Sequence, residues 1–190
     1  MIVTVETEPD WPACDTRVDF AGSTLYLRPS IETSAPDVRI EYEHPGGELA
    51  AYEIICRFLS QIAWWQRRPA RPRLRLSCMS PTLRGGKSLC GPMKWSGFRL
   101  PPGMNIPQDP KARLALSLYR EAQSSESVAY RFLGYFKILN VMYNGGAAQI
   151  AWINRTIPKI TDRDVLTRLQ ALSSSQKDTG RYLYEQCRCA

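Results

Sequence analysis

Two hydrophobic rhythms divide this 190-residue chain, and one element type cannot satisfy both. In the N-terminal part, MIVTVETE, RVDF, TLYLRP and VRIEYE alternate apolar and polar residues at period two. That is the pattern of strands with one buried face. Turn-forming segments separate them: Pro9 to Asp15, Ala21-Gly22-Ser23 and Pro29 to Asp37. The four runs predict an antiparallel sheet. After Gly46-Gly47 the period lengthens, and Leu49, Tyr52, Ile55, Cys56 and Leu59 mark one helical face, with Ile62 and Ala63 beyond. This helix is expected to stop before Arg67-Arg68-Pro69, since proline biases the preceding residue away from helical backbone. Arg73 to Cys78 alternates basic and apolar residues and predicts a strand with Leu74 and Leu76 buried. Met93 to Leu100 is a second candidate strand.

The C-terminal part keeps the helical period throughout. A proline-rich linker runs from Pro101 to Pro110, with Asp109 suited to cap a helix whose first residue is Pro110. Three helices follow between Leu114 and Asn154. Leu114, Leu118 and Tyr119 mark the first; Tyr130, Leu133, Phe136, Leu139 and Tyr143 the second; Ile150, Trp152 and Ile153 the third, after Gly145-Gly146. Spacings of three and four put these side chains on stripes that read as a packed helical core. Thr161 or Asp162 caps a further helix from about Arg163 to Leu172, with Asp164 favourable in its first turn. A last helix is expected from about Gln176, with Tyr182, Leu183 and Cys187 as apolar contacts. No capping residue closes it, which predicts a bundle cut short in its final helix.

The net charge of +7 conceals a strong asymmetry. Residues 1–53 sum to −8, residues 54–108 to +10 without a single Asp or Glu, and residues 109–190 to +5. An acid-free basic stretch has two readings. It is the partner of the acidic N-terminal strands across a sheet, or it is a phosphate-facing surface. On the second reading Arg67, Arg68, Arg71, Arg73 and Arg75 hold RNA or another polyanion, and Trp64, Trp65 and Trp95 stack on bases.

Familiar catalytic motifs fail on inspection. Arg84-Gly85-Gly86-Lys87-Ser88 ends like a phosphate loop, but Pro81 occupies the position of the first glycine. Proline has no N–H to aim at a phosphate and a fixed φ, so nucleotide hydrolysis is excluded at this segment. His44, the single histidine, lies in a loop with no Ser or Cys in a nucleophile setting. Cys14, Cys56, Cys78 and Cys90 are scattered and Cys187-Arg188-Cys189 is a C-x-C, so no metal site is read and no cofactor is expected. Reduced thiols, no apolar run long enough for a membrane span and no basic-then-apolar leader together predict a cytoplasmic protein away from membranes.

YREAQ, AYRFLGYFKILN, AQIAWIN and GRYLYEQCRCA together resemble the helical half of MauJ-type methylamine-utilisation proteins. That half is similar in turn to the HEPN bundles of prokaryotic RNases and toxins. The likeness runs from about Pro107 to the end. Active HEPN RNases carry an Arg followed four to six residues later by a His on the last long helix. Arg188 stands where that Arg would be, as a remnant of the motif, but Ala190 ends the sequence with no His after it. The resemblance therefore implies a non-enzymatic accessory protein of methylamine utilisation. The alternative it implies is a metal-independent endoribonuclease of HEPN type, or a degenerate RNA-binding relative. It also implies a homodimer through the C-terminal helices, with Phe132 and Tyr135 flanking the aromatic stripe.

The expected architecture is α+β. An N-terminal antiparallel sheet with one packed helix spans 1–104, and an all-α, HEPN-like bundle spans 107–190.

Overall fold

The computed structural model describes residues 1–7, 11–32, 34–43, 46–77, 107–175 and 178–188. Five antiparallel strands form one sheet: β1 (Ile2–Thr7), β2 (Thr16–Phe20), β3 (Ser23–Arg28), β4 (Asp37–Ile40) and β5 (Ala70–Leu76). Their spatial order is β2-β3-β4-β1-β5. Strands β2 and β3 meet in a two-residue turn between the paired Phe20 and Ser23. Its central residues, Ala21 and Gly22, have φ of 57° and 74°, the positive pair that a primed hairpin turn requires.

One face of the sheet is buried. Val3 and Val5, Val18 and Phe20, Leu25 and Leu27, and Val38 and Ile40 all point into a single core. Helix α1 (Glu48–Gln66) covers that face. The sequence locates this helix correctly but turns its face. Ala51, Ile55, Phe58, Leu59, Ile62 and Ala63 are buried, whereas Leu49 is exposed and Tyr52 and Cys56 sit on the flank. Phe58 decides the orientation, meeting Phe20 edge-on with ring centroids 5.4 Å apart. Burying so large a ring outweighs keeping Leu49 dry in the first turn.

Strand β5 departs from its expected pattern. Ala70 is buried, but Leu74 and Leu76 are 54% and 48% exposed. The register explains this. Val3 pairs with Arg75 while Val5 pairs with Pro72, so two residues of β5 face one residue of β1. At this bulge the Leu74 N–H donates to Thr4 Oγ1 at 2.9 Å. An extra residue reverses which side chains face the core. Among the described strands, β5 is moreover at the edge, with a neighbour on one side only. The candidate strand from Met93 to Leu100 lies outside the described residues.

The helical region contains α2 (Pro110–Gln123), α3 (Val128–Met142), α4 (Gly146–Thr156), α5 (Arg163–Ser175) and α6 (Thr179–Tyr182). Asp109 caps α2, accepting from the Lys111 N–H at 2.9 Å, with Pro110 in the first turn as expected. Helices α2 and α3 pack closely because Gly134 presents no side chain to Ala122: a Cβ on Gly134 would lie 2.7 Å from that of Ala122. Phe136 is buried, but Tyr130 is 72% exposed and Leu114 is exposed as well. Both were expected in the core stripe. Helical periodicity sets the direction of a stripe without saying which of its turns has a partner.

Helix α4 is tied to α3 by Gln149, whose amide donates to Asn140 Oδ1 at 2.6 Å and to the Tyr143 carbonyl at 3.0 Å. Asp162 caps α5, accepting from the Val165 N–H at 3.0 Å. None of the α5 residues is buried. The last helical segment is described from Asp178, which caps α6, and continues as a π-type turn over Leu183–Cys187. Sheet, covering helix and helical region make an α+β protein, as the two rhythms predict.

Candidate functional site

The contact between α1 and α2 gathers the chemistry of the molecule. The Arg120 side chain, almost fully buried, donates to the Cys56 carbonyl at 3.3 Å. The Ser60 hydroxyl donates to the same oxygen at 2.7 Å. Aromatic rings continue the contact: Trp64 of α1 meets Tyr119 edge-on at 5.0 Å, and Tyr119 lies 5.8 Å from Tyr135 of α3. Burial raises the Tyr135 hydroxyl above its ordinary pKa, helped by neighbouring Tyr119. Tyr135 and Phe132 thus have ring partners within the chain, Phe132 stacking obliquely on Phe136 at 4.8 Å.

Where the two helices diverge they enclose a half-open cleft of about 390 Å³, within the range of small-molecule sites, roughly 300–1,000 Å³. Helix α1 contributes Glu53, Cys56, Arg57, Ser60 and Gln61. Helix α2 contributes Pro110, Arg113, Leu114 and Ser117, the last three spaced to share one face. Arg57 is paired with Glu53 at 3.2 Å. Arg113 and Ser117 have no side-chain hydrogen bond or ion pair. Beside the cleft, the Tyr52 hydroxyl is raised above its ordinary pKa, first by burial and then by neighbouring Cys56. It therefore stays protonated at neutral pH.

The basic series distributes itself along the far end of α1 and along β5. Arg71 reaches both Glu6 at 3.5 Å and Glu126 at 3.6 Å, so it connects β1 to the turn between α2 and α3. Arg73 also pairs with Glu6. Arg75 lies 3.7 Å from Glu48 and stacks over the Tyr52 ring at 4.8 Å. Three of the five arginines thus face N-terminal acids, the first of the two readings of the acid-free stretch. Arg67, in left-handed backbone at the end of α1, is exposed, and Arg68 is half-buried beside it. Trp64 and Trp65 are 58% and 41% exposed next to them. Trp95 and the Gly-Lys-Ser segment lie outside the described residues.

Arg188 stacks its guanidinium on the Tyr184 ring at 4.7 Å, and that ring fills the space that a side chain on Gly146 would need. His44 lies outside the described residues. Among the described residues no group of three His, Cys, Asp or Glu is placed to hold a metal ion, and no helix is long and apolar enough to cross a membrane.

The cleft residues escape sequence reasoning. Their one local signal is the polar-apolar face Arg113, Leu114, Ser117, and nothing in the sequence says that it meets a similar face on a helix some 60 positions away. No curated protein and no solved structure matches this chain. The family model described as methylamine utilization protein MauJ matches residues 115–190, so this part of the helical region is similar to that family.

Proposed function

We propose that the chain is a non-enzymatic, cytoplasmic accessory protein of the MauJ type, serving methylamine utilisation by binding rather than by turnover. The observation that carries this reading is the family match over residues 115–190. Two structural features agree with a binding role. The charged groups where sheet and helices meet are largely paired with one another, as in Arg71 with Glu6 and Glu126. Among its described lining residues, the cleft between α1 and α2 offers the unpartnered donors of Arg113 and Ser117. Deleting the gene in its host and growing the strain on methylamine as sole nitrogen source tests the proposal. Slowed growth restored by the wild-type gene is expected, and growth equal to the parent strain on methylamine would refute it.

A second reading, RNA binding by a HEPN-type relative with or without nuclease activity, is favoured by one observation: Trp64 and Trp65 are exposed beside Arg67 and Arg68. Stacking surfaces next to guanidinium groups suit single-stranded nucleic acid. In that chemistry Arg188 would stabilise phosphate charge, and pairing of two helical regions would bring two copies of it together. Fluorescence polarisation with an unstructured RNA at low salt tests the binding. Arg67→Gln with Arg68→Gln should weaken it and flatten its salt dependence. Unchanged binding would remove these residues from the interface.

A further inference from the structure

We infer that the cleft between α1 and α2 is a binding site for a small organic anion with an apolar body. The cleft charges point to an anion. Among the described lining residues, Arg57 and Arg113 stand with a single carboxylate, Glu53. That carboxylate is already engaged by Arg57 one helical turn away. One positive charge is left over, and it belongs to Arg113, whose guanidinium has no partner of its own. A guanidinium fork matches two oxygens of a carboxylate or phosphate. The unpartnered Ser117 hydroxyl lies on the same face of α2, one turn further along, placed to donate to the same anion.

The apolar residues of the same wall define the rest of the ligand. Pro107, Pro110, Leu114 and Leu116 give the cleft an apolar side, and Leu114 is about half exposed there. An apolar group laid against it would be removed from water at roughly 25 cal/mol per Å². The volume of about 390 Å³ accommodates about a dozen non-hydrogen atoms, taking roughly 30 Å³ as the room one water molecule occupies in the liquid. A small cation such as methylammonium is a poor fit, because it would sit among two guanidinium groups with the one carboxylate of the described lining already shared. The site does not rest on the family likeness: every α1 residue lining it, together with Arg113 and Leu114, lies outside the matched segment.

The full chain should be titrated calorimetrically with benzoate, phenyl phosphate and methylammonium chloride, each in the same buffer. Saturable binding of benzoate or phenyl phosphate is expected, and which of the two binds more tightly identifies the anionic group. Arg113→Gln should weaken that binding about tenfold or more, the loss expected for one charge-assisted hydrogen-bonded contact. Arg113→Lys should restore part of it, and Ser117→Ala should weaken it by a smaller factor. Leu114→Trp, which fills the apolar side, should abolish it, whereas Arg163→Gln on the exposed α5 should leave it unchanged. Circular dichroism spectra of all variants should overlay that of the wild type. Absence of saturable binding of both anions at 10 mM, roughly the weakest range such sites occupy, would overturn the inference. So would binding indifferent to Arg113→Gln, or saturable binding of methylammonium that Leu114→Trp blocks.

Discussion

The contact between Gly134 and Ala122 makes the sharpest prediction about how the helical region is held. Replacing Gly134 with alanine adds one methyl group where the new Cβ would lie 2.7 Å from the Ala122 Cβ and 3.2 Å from its Cα. Ordinary contact begins near 3.4 Å, so the helices must separate by about 0.7 Å. Ala122 has no rotamer to move and its Cα belongs to the backbone of α2, so the strain cannot be relieved by a side chain swinging away. Overpacking of this kind costs about 3 kcal/mol at the upper end of its usual range, while alanine in a helix gains about 1 kcal/mol over glycine. Gly134→Ala should therefore lower stability by about 2 kcal/mol in urea denaturation, with an unchanged slope. The double variant Ala122→Gly with Gly134→Ala moves the methyl group to the other helix and should recover more than half of the loss, a coupling that independent sites would not show. Gly134→Ala at or above wild-type stability would refute the close approach and, with it, the packing of α2 on α3.

The sheet was legible because a single buried face imposes strict alternation. Val3 and Val5, Leu25 and Leu27, and Val38 and Ile40 appear in the sequence at the spacing at which they enter the core. Helix ends with specific backbone chemistry were legible too: Asp109 and Pro110 open α2, and α1 closes at Arg67 just before Arg68-Pro69. What could not be read was anything decided by contact between distant segments. The bulge opposite Thr4 reversed the faces of β5 although Leu74 and Leu76 keep perfect local alternation. Phe58 turned α1 because Phe20, far away in sequence, was its partner. The acid-free arginine run illustrates the same limit from the side of charge. Composition shows the excess, but only pairing with Glu6, Glu48 and Glu126 shows that much of it is answered within the molecule. The cleft at Arg113 was hidden for that reason as well, since its two walls are separate helices, Glu48–Gln66 and Pro110–Gln123.

Four further outcomes follow from particular contacts. Ala21 adopts a φ of 57° in the β2–β3 turn, a conformation costing an alanine about 1–2 kcal/mol; Ala21→Asn, creating the preferred Asn-Gly turn, should raise the thermal midpoint, and a lowered midpoint would contradict the turn geometry. The half-buried Arg39 grips both carboxylate oxygens of Asp37, at 2.8 and 3.2 Å; Asp37→Asn should cost about 1.5–3 kcal/mol in urea denaturation, and a loss below measurement would show the pair to be dispensable. By contrast Glu126, 89% exposed, pairs with Arg71 in water, so Glu126→Gln should change stability by less than about 1 kcal/mol, and a larger loss would mean that this contact anchors the helical region to the sheet. Asp178 supplies the pH dependence of the last helix. The Asn154 amide donates to its carboxylate at 2.9 Å, and the Arg181 N–H donates to the same oxygen. These bonds hold its pKa below the ordinary carboxylate value, the Asn154 bond contributing most. A group whose pKa is depressed by folding stabilises the fold above its unfolded pKa and loses that contribution as pH falls through the folded value. Carboxyl NMR should accordingly place the Asp178 midpoint below the ordinary aspartate value, with α6 losing amide protection as the group protonates. Asn154→Ala should move the midpoint upward, and a midpoint indifferent to Asn154 would separate the α4–α6 contact from the cap.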